Sequence, residues 1–296
     1  MTHAARAAPW RSMLYVPANV PRFVAKAAGS GADAVVLDLE DSVPADRKAE
    51  ARAALPAAVA TLREGSAEVL VRVNRPLRLA VPDIEAAAAA GVDGILLAKV
   101  AGPDHVVLAA ELFDELERGS PRRRLAVIVP MIETAAAAAR MEAIAHASPR
   151  VAGLLVGAEG LALECGAAPD DEVILMVKRR MVLAAVAAGV APLGTLASVA
   201  DYRDAEAVRR SALQARRAGF TGSTCIHPSL VPVLNAAFSP TEAEIDAARR
   251  QLAAAEEAAR GGRGSFVVDG RMVDEPILIR ARRILAVAER RSIGHG

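Results

Sequence analysis

Five acids, one arginine and one lysine stand at or just past the ends of short apolar runs, where a buried segment gives way to a loop. Asp38, Glu40 and Asp41 close the run AVVLDLED, Glu133 follows LAVIVPMI and Glu159 follows VAGLLVGA. Arg72 lies in EVLVRVN, which ends at Asn74, and Lys99 lies in GILLAKV. Carboxylates from separate segments beside an arginine and a lysine describe a cation site next to an anion site. Oxygen donors without clustered His or Cys favour a hard ion, Mg²⁺ before zinc. An arginine fork such as Arg72 matches a carboxylate in a bidentate clamp. Plainer accounts exist. The Asp-Leu-Glu-Asp stretch can supply helix caps, Arg72 a structural ion pair, Lys99 a surface amine on an apolar stem, and His227 a packed, hydrogen-bonded ring. Glu133, after LAVIVPMI, fits them least, and Asp38 fits them poorly because an unpartnered acid inside an apolar run is costly.

Such residues converge only if the runs that carry them are neighbouring strands. Eight runs read as strands: Ser12–Pro17, Ala34–Glu40, Glu68–Asn74, Gly94–Val100, Leu125–Glu133, Val151–Glu159, Val190–Ser198 and Phe220–His227. Their apolarity is continuous rather than alternating, as in parallel strands covered by helices on the outside. Ala/Arg/Glu-rich segments of helical character separate them, among them Arg47–Leu62 and Asp201–Ala218. The pattern predicts a (β/α)₈ TIM barrel, a fold of roughly 250 residues whose catalytic groups sit at the C-terminal strand ends. A doubly wound open sheet is the alternative, but the first βα turn has no G-x-G-x-x-G fingerprint. Pro192 and Gly194 interrupt the seventh run.

The barrel is expected over residues 1–235, with 236–296 forming a C-terminal helix and lid segment on its own or a neighbouring barrel. Ser239-Pro240-Thr241-Glu242 reads as a capping box that starts a helix to about Arg260. GGRGSF, the turn-like VVDGRMVDEP and a last helix to about Arg290 follow. The apolar fraction of 53% is raised by alanine, which favours helices over greasy surface. A net charge of +1 offers no single-sign field for a nucleic acid or an anionic membrane, and the Arg122-Arg123-Arg124 cluster reads as a solvated loop. Cys165 and Cys225 are too few for a disulfide framework and lack zinc spacing. The first residues, MTHAARAAPWRSMLYVP, lack a secretory h-region. No stretch approaches the roughly 20 apolar residues of a membrane span. The expectation is a reduced, cytoplasmic, soluble protein.

The ordered set RSMLYVP, AVVLDLEDSVP, VRVN, LLAKV, PMIETA, VGAEGLALECGA, GFTGSTCIHP and DGRMVDEP resembles the citrate lyase β-subunit-like branch of the HpcH/HpaI aldolase superfamily, over roughly Arg11 to Val287. The resemblance implies a TIM barrel that makes or breaks a carbon–carbon bond in a 3-hydroxyacyl-CoA such as citramalyl-, malyl- or citryl-CoA, with acyl-CoA and 2-oxo acids as its small-molecule partners. It implies Mg²⁺ on Glu133 and on an Asp in the loop after strand six, with Glu40 and Asp41 in the outer shell; where that Asp is missing, Glu133 with the substrate, or Glu159 swung inward, is expected to hold the ion. Arg72 is expected to bind the substrate carboxylate, with Lys99 and Asn74 beside it. Asp274 is expected to move the proton at the thioester α-carbon, offered by a neighbouring subunit in a homo-oligomer such as a trimer. The family pattern after strand six is Gly-x-Glu-Asp-Leu-Ala, and Gly160 stands here in place of the Asp. An Asp near Leu193-Gly194 is also missing, Ser223 replaces a Lys before the IHP motif, and Ala98 replaces a Pro. Competing readings are an acyl-CoA thioesterase and a divergent non-catalytic member with a degraded metal site. A histidine-based aldolase fits less well, since no histidine lies at a matching strand end.

Overall fold

The computed structural model describes residues 10–118, 126–197, 203–260 and 266–293. The Arg122–Arg124 cluster lies outside them. Two compact units are present, Met1–Phe238 and Ser239–Gly296. The division falls after Phe238 rather than at 235, because the helix Val231–Ala237 buries Val231, Leu234 and Ala237, and its Asn235 accepts a 2.7 Å hydrogen bond from Ser12 Oγ.

The first unit is a (β/α)₈ barrel. Its strands are β1 (Ser12–Pro17), β2 (Ala34–Asp38), β3 (Glu68–Val73), β4 (Gly94–Leu97), β5 (Val127–Ile132), β6 (Gly153–Val156), β7 (Ala191–Leu193) and β8 (Ser223–Cys225). All pair in parallel, in the order β7-β6-β5-β4-β3-β2-β1-β8. Helices α1 (Pro21–Ala28), α2 (Lys48–Ala53), α3 (Leu55–Leu62), α4 (Leu77–Ala90), α5 (Pro103–Leu116), α6 (Ala135–Ala138), α7 (Met141–Ala145), α8 (Ala158–Cys165), α9 (Glu172–Ala188), α10 (Ala205–Arg217) and α11 (Val231–Ala237) follow the strands. The segment expected as one helix from Arg47 is two, with Pro56 opening the second.

Two apolar layers result. Met13, Ala34, Val36, Leu70, Leu96, Val127, Val129, Met131, Leu155 and Leu193 fill the barrel interior. The residues between them, such as Val35, Leu37, Val71, Ile95 and Ile128, join the larger layer under the helices. Strands four, six, seven and eight are shorter than their apolar runs suggest, because the chain turns as soon as it reaches the barrel rim. Where β7 faces β8 a regular ladder gives way to a single bridge, Leu193 to Gly222, with Gly194 N–H donating to Gly222 O at 2.8 Å. This seam closes the barrel, and the interruption at Pro192 and Gly194 is its cause.

In the second unit α12 (Glu242–Arg260) and α13 (Glu275–Ile293) pack on each other. The capping box is two residues later than its expected place: Glu244 N–H donates to Thr241 Oγ1 and Thr241 N–H to Glu244 Oε2. The turn-like segment is a hairpin of β9 (Phe266–Val268) and β10 (Arg271–Val273). Asp269 and Gly270 both have positive φ, 50° and 74°, as a two-residue hairpin turn requires.

The seam makes a sharp demand at Gly222. A Cβ there would lie 1.6 Å from Trp10 O, against backbone that cannot move aside. Gly222→Ala is expected to destabilise the barrel by at least about 3 kcal/mol, the upper end of overpacking penalties. Urea unfolding followed by circular dichroism would measure it.

Candidate active site

Alternation along the strands decides which polar side chains meet. The interior residues Ala34 and Val36 lead, two by two, to Asp38; Leu70 leads to Arg72; Val129 and Met131 lead to Glu133; and Met13 leads to Tyr15. Asp38 and Arg72 are register partners on β2 and β3. The next interior layer at the C-terminal mouth is therefore polar, and it lines a cavity of about 270 Å³.

Arg72 and Asp38 form a bidentate pair, Nε to Oδ1 and Nη2 to Oδ2, both 2.7 Å. Asp38 is 1% exposed. Its oxygens also accept the N–H groups of Glu40 at 2.9 Å and Ser42 at 3.1 Å, which folds the following loop back over the pair. Burial pushes the Asp38 carboxyl up, but the Arg72 hydrogen bonds and charge outweigh it and hold it below the ordinary value. The same carboxylate keeps the guanidinium charged, against its own burial. Arg72 also lies over the Tyr15 ring, 4.9 Å from its centroid. Its remaining nitrogen, Nη1, is 3.2 Å from Glu40 and 3.4 Å from Asp41. Arg72 is thus no empty clamp, and the carboxylate it grips is the chain's own.

Lys99 ties the same acids from β4. Its ammonium bonds Glu40, and Asp41 at 3.1 Å. The sequence suggested a strand through Val100, yet Lys99 has φ 48°, a left-handed conformation that a non-glycine residue adopts at a cost of about 1–3 kcal/mol. The turn aims the Lys99 N–H at Glu133 Oε1, 3.2 Å away. Burial raises the Glu40 carboxyl, with the Lys99 hydrogen bond opposing it.

Glu133 is 7% exposed, and burial lifts its carboxyl to about 7 against the Lys99 N–H. It lies on two glycines of the β6 end. A Cβ at Gly157 would sit 2.5 Å from Glu133 Cγ, and one at Gly160 would sit 3.2 Å from Glu133 Oε2. Position 160 therefore faces the Glu133 carboxylate directly. Glu159 is exposed in the first turn of α8 and lines the cavity with Glu133. Among the described residues no group of three His, Cys, Asp or Glu is placed to hold a metal ion. Glu133 and Glu159 line the cavity together with Asp38 and Asp41.

Asn74 and His227 brace loops of the barrel. Asn74 does not line the cavity: its amide donates to Leu39 O at 2.9 Å and Asp83 Oδ2 at 2.6 Å, bracing the loop behind the site. It shares Arg72's parity, but β3 ends at Val73, so Asn74 is no longer held in the strand and is bound by Asp83 instead. Asp274 belongs to the second unit, exposed at the start of α13. His227 accepts the Ser229 N–H and caps a short turn, as the plain account of it predicts. The sequence reading also passed over Tyr15, the role of Asp38 as partner of Arg72, and Lys178. Stepping by two along each run would have found the first pair. Lys178 shares a helical face with Ile174, Met181, Val182 and Ala185, all buried, and that spacing was its signal.

Residues 11–228 match the family model described as HpcH/HpaI aldolase/citrate lyase. Among similar curated proteins, the (3S)-malyl-CoA thioesterase of Cereibacter sphaeroides is 38% identical over 98% of this chain and 97% of its own length. The citrate lyase subunit beta of Leuconostoc mesenteroides subsp. cremoris is 34% identical over 94% of this chain and 93% of its own. A crystal structure of the CitE protein of Mycobacterium tuberculosis, in complex with magnesium, acetoacetate and coenzyme A, superposes with a TM-score of 0.76 at 32% identity. That match covers 94% of this chain and 97% of the other.

Removing one partner of a buried pair leaves the other charge stranded. Asp38→Asn should destabilise the barrel by about 3 kcal/mol at neutral pH. Because the folded-state Asp38 pKa is depressed from 3.8, its contribution is present above that value and is lost as the pH falls through the folded pKa. Urea titrations of both proteins should show the gap narrowing toward strongly acidic pH.

Proposed function

The chain belongs to the HpcH/HpaI aldolase/citrate lyase family, and from that premise we propose that it is a carbon–carbon lyase acting on a 3-hydroxyacyl-CoA of the malyl, citramalyl or citryl type. The observation that carries the proposal is the polar layer at the C-terminal mouth, where Asp38, Arg72, Asp41 and Glu133 line one cavity and Glu40 and Lys99 tie them together from behind. Catalytic groups of this fold come from those strand ends. The likeness to a CitE structure holding magnesium, acetoacetate and coenzyme A supports the substrate class and the ion.

Glu133 and Glu159 suit a Mg²⁺ ion, which commonly takes one or two protein carboxylates and completes its shell with water and substrate. A buried carboxyl lifted to about 7 gains most from a cation beside it. When bound, the ion would supply Lewis-acid polarisation of the substrate oxygen. The chain's residues do the rest. Three acids, Asp38, Glu40 and Asp41, face two bases, Arg72 and Lys99, so this side of the mouth carries a net negative charge that favours a cation. Tyr15, Met131, Leu155 and Leu193 form the apolar floor that keeps bulk water from the reacting carbons. Cleavage breaks the bond between the hydroxyl-bearing carbon and the thioester α-carbon. The hydroxyl proton leaves, a carbonyl forms, and the α-carbon takes up a proton, for which Asp274 is the proposed donor. A homotrimer in the cytoplasm is the proposed setting.

A thioesterase is the second reading, favoured by the 38% identity to a protein of that name and by Gly160 at the position facing Glu133. In that reaction water attacks the thioester carbonyl and free CoA thiol leaves.

Incubation with malyl-, citramalyl- and citryl-CoA plus Mg²⁺ separates the two. The lyase yields a shorter acyl-CoA and an oxo acid without free thiol; the thioesterase yields thiol and the intact hydroxy acid. No turnover of any ester with Mg²⁺ or Mn²⁺ would overturn both. Glu133→Gln should lower kcat/KM by at least about 100-fold, and a chelator should suppress the activity until Mg²⁺ is restored.

A further inference from the structure

We propose that the Tyr15 hydroxyl holds the thioester carbonyl oxygen of the substrate, as the neutral hydrogen-bond donor for the charge which that oxygen takes on during cleavage. The inference deepens the proposed function and takes from it the class of substrate, an acyl-CoA.

Strand β1 sets the position. Met13 points into the barrel interior, so Tyr15, two residues on, points into the mouth and lines its cavity. The hydroxyl reaches across to β5, where it donates to Met131 Sδ at 3.9 Å. Among the described residues it has no other hydrogen-bond partner. A thioether sulfur is a weak acceptor, and a buried tyrosine hydroxyl usually has a better one. Leu155, Leu193 and Phe220, which line the same cavity, have no polar side chain. The O–H is therefore spent on a contact that a ligand oxygen can replace.

The substrate brings three kinds of oxygen to the mouth: a carboxylate, a hydroxyl and the thioester carbonyl. Ionic groups answer the first two, Arg72 on one side and a cation at Glu133 on the other. The thioester carbonyl is uncharged until the carbon–carbon bond breaks. The electron pair of that bond then passes onto the thioester oxygen as an enolate, and it returns to the α-carbon when that carbon takes up a proton. A donor already fixed on this oxygen binds the transition state more strongly than the ground state. Tyr15 suits the task in two ways. The Arg72 guanidinium lies over its ring, 4.9 Å from the centroid, and positive charge there draws electron density from the phenol and strengthens its O–H as a donor. Burial lifts the phenol pKa well above its ordinary value, with Arg72 opposing and Asp38, Glu133 and Glu40 adding to it. Tyr15 thus keeps its own proton throughout and adds no negative charge beside those acids. Its hydrogen bond gains strength from the low polarity of the floor.

Acetyl-CoA, isotope-labelled at the thioester carbonyl, is the probe, bound to the full-length protein with a chelator present so that no ion polarises the carbonyl. Tyr15→Phe keeps the ring over which Arg72 lies and removes only the hydroxyl. In infrared difference spectra the bound carbonyl stretch should lie at lower frequency in the wild type than in Tyr15→Phe. In turnover, Tyr15→Phe should lower kcat by at least about 10-fold and leave KM within about 2-fold, as for a donor that acts in the transition state. A hydroxyl that only packs against Met131 would lower the melting temperature of the Phe variant and leave the carbonyl frequency and kcat unchanged, which overturns the proposal. Absence of acetyl-CoA binding to the wild type overturns it as well. A fall in kcat without a carbonyl shift places the hydroxyl on another oxygen and also overturns it. If the Phe variant does not fold, 3-fluorotyrosine in place of Tyr15 decides, since the fluorine makes the phenol a stronger donor. A carbonyl frequency lowered further upholds the proposal, and an unchanged one overturns it. A Tyr15-dependent carbonyl shift without cleavage of any CoA ester upholds the hydrogen bond and removes the lyase reading. Cleavage with unchanged kcat in the Phe variant removes the role of Tyr15 alone.

Discussion

The mouth of this barrel is organised by the Arg72–Asp38 pair. Two residues one strand apart, in register and on the inward parity, exchange two 2.7 Å hydrogen bonds where an apolar layer would otherwise continue. Neither charge is tolerable there alone. Together they bind β2 to β3 at the rim, and the spare acceptor capacity of Asp38 takes the N–H groups of Glu40 and Ser42. That turn delivers Glu40 and Asp41 to Lys99, and Lys99, in its left-handed conformation, presents its N–H to Glu133. One buried ion pair thus propagates through three loops to the carboxylate with the most perturbed environment among those lining the cavity.

The opposite wall has a different chemistry. There Gly157 and Gly160 make room for Glu133, and Lys178 brings positive charge from the helix layer. The Lys178 ammonium is held there by the carbonyls of Leu196 and Ala197, with the charges of Glu159 and Asp170 acting on it. Gly160, where the family pattern has an Asp, faces the Glu133 carboxylate without adding a carboxylate of its own.

Much of the architecture was legible in the sequence because continuous apolar runs, separated by helical stretches, have few other solutions. The ends of the elements were less so. The rim truncates β4, β6, β7 and β8 inside their apolar runs, and the capping box of α12 uses Thr241 and Glu244 since the helix starts after Pro240 rather than at it. Among the polar residues, those at strand ends were found by type, yet type did not separate Arg72 from Asn74. The end of the strand did: the two share one parity, but the chain has already left β3 at Val73, and Asn74 is bound by Asp83. Lys178 escaped notice because a lysine in an amphipathic helix is ordinarily at the surface, and only the barrel brings its amine to the β7 loop.

The central proposal is a cation site on Glu133 and Glu159, with position 160 facing Glu133 and contributing no side-chain ligand. Calorimetric titration of Mg²⁺ alone into the wild type and Gly160→Asp tests it most directly. The account predicts that the added carboxylate tightens Mg²⁺ binding by at least about 10-fold, which is one further charged ligand's worth, and that Glu133→Gln abolishes the gain. Equal or weaker binding by a folded Gly160→Asp protein would contradict it.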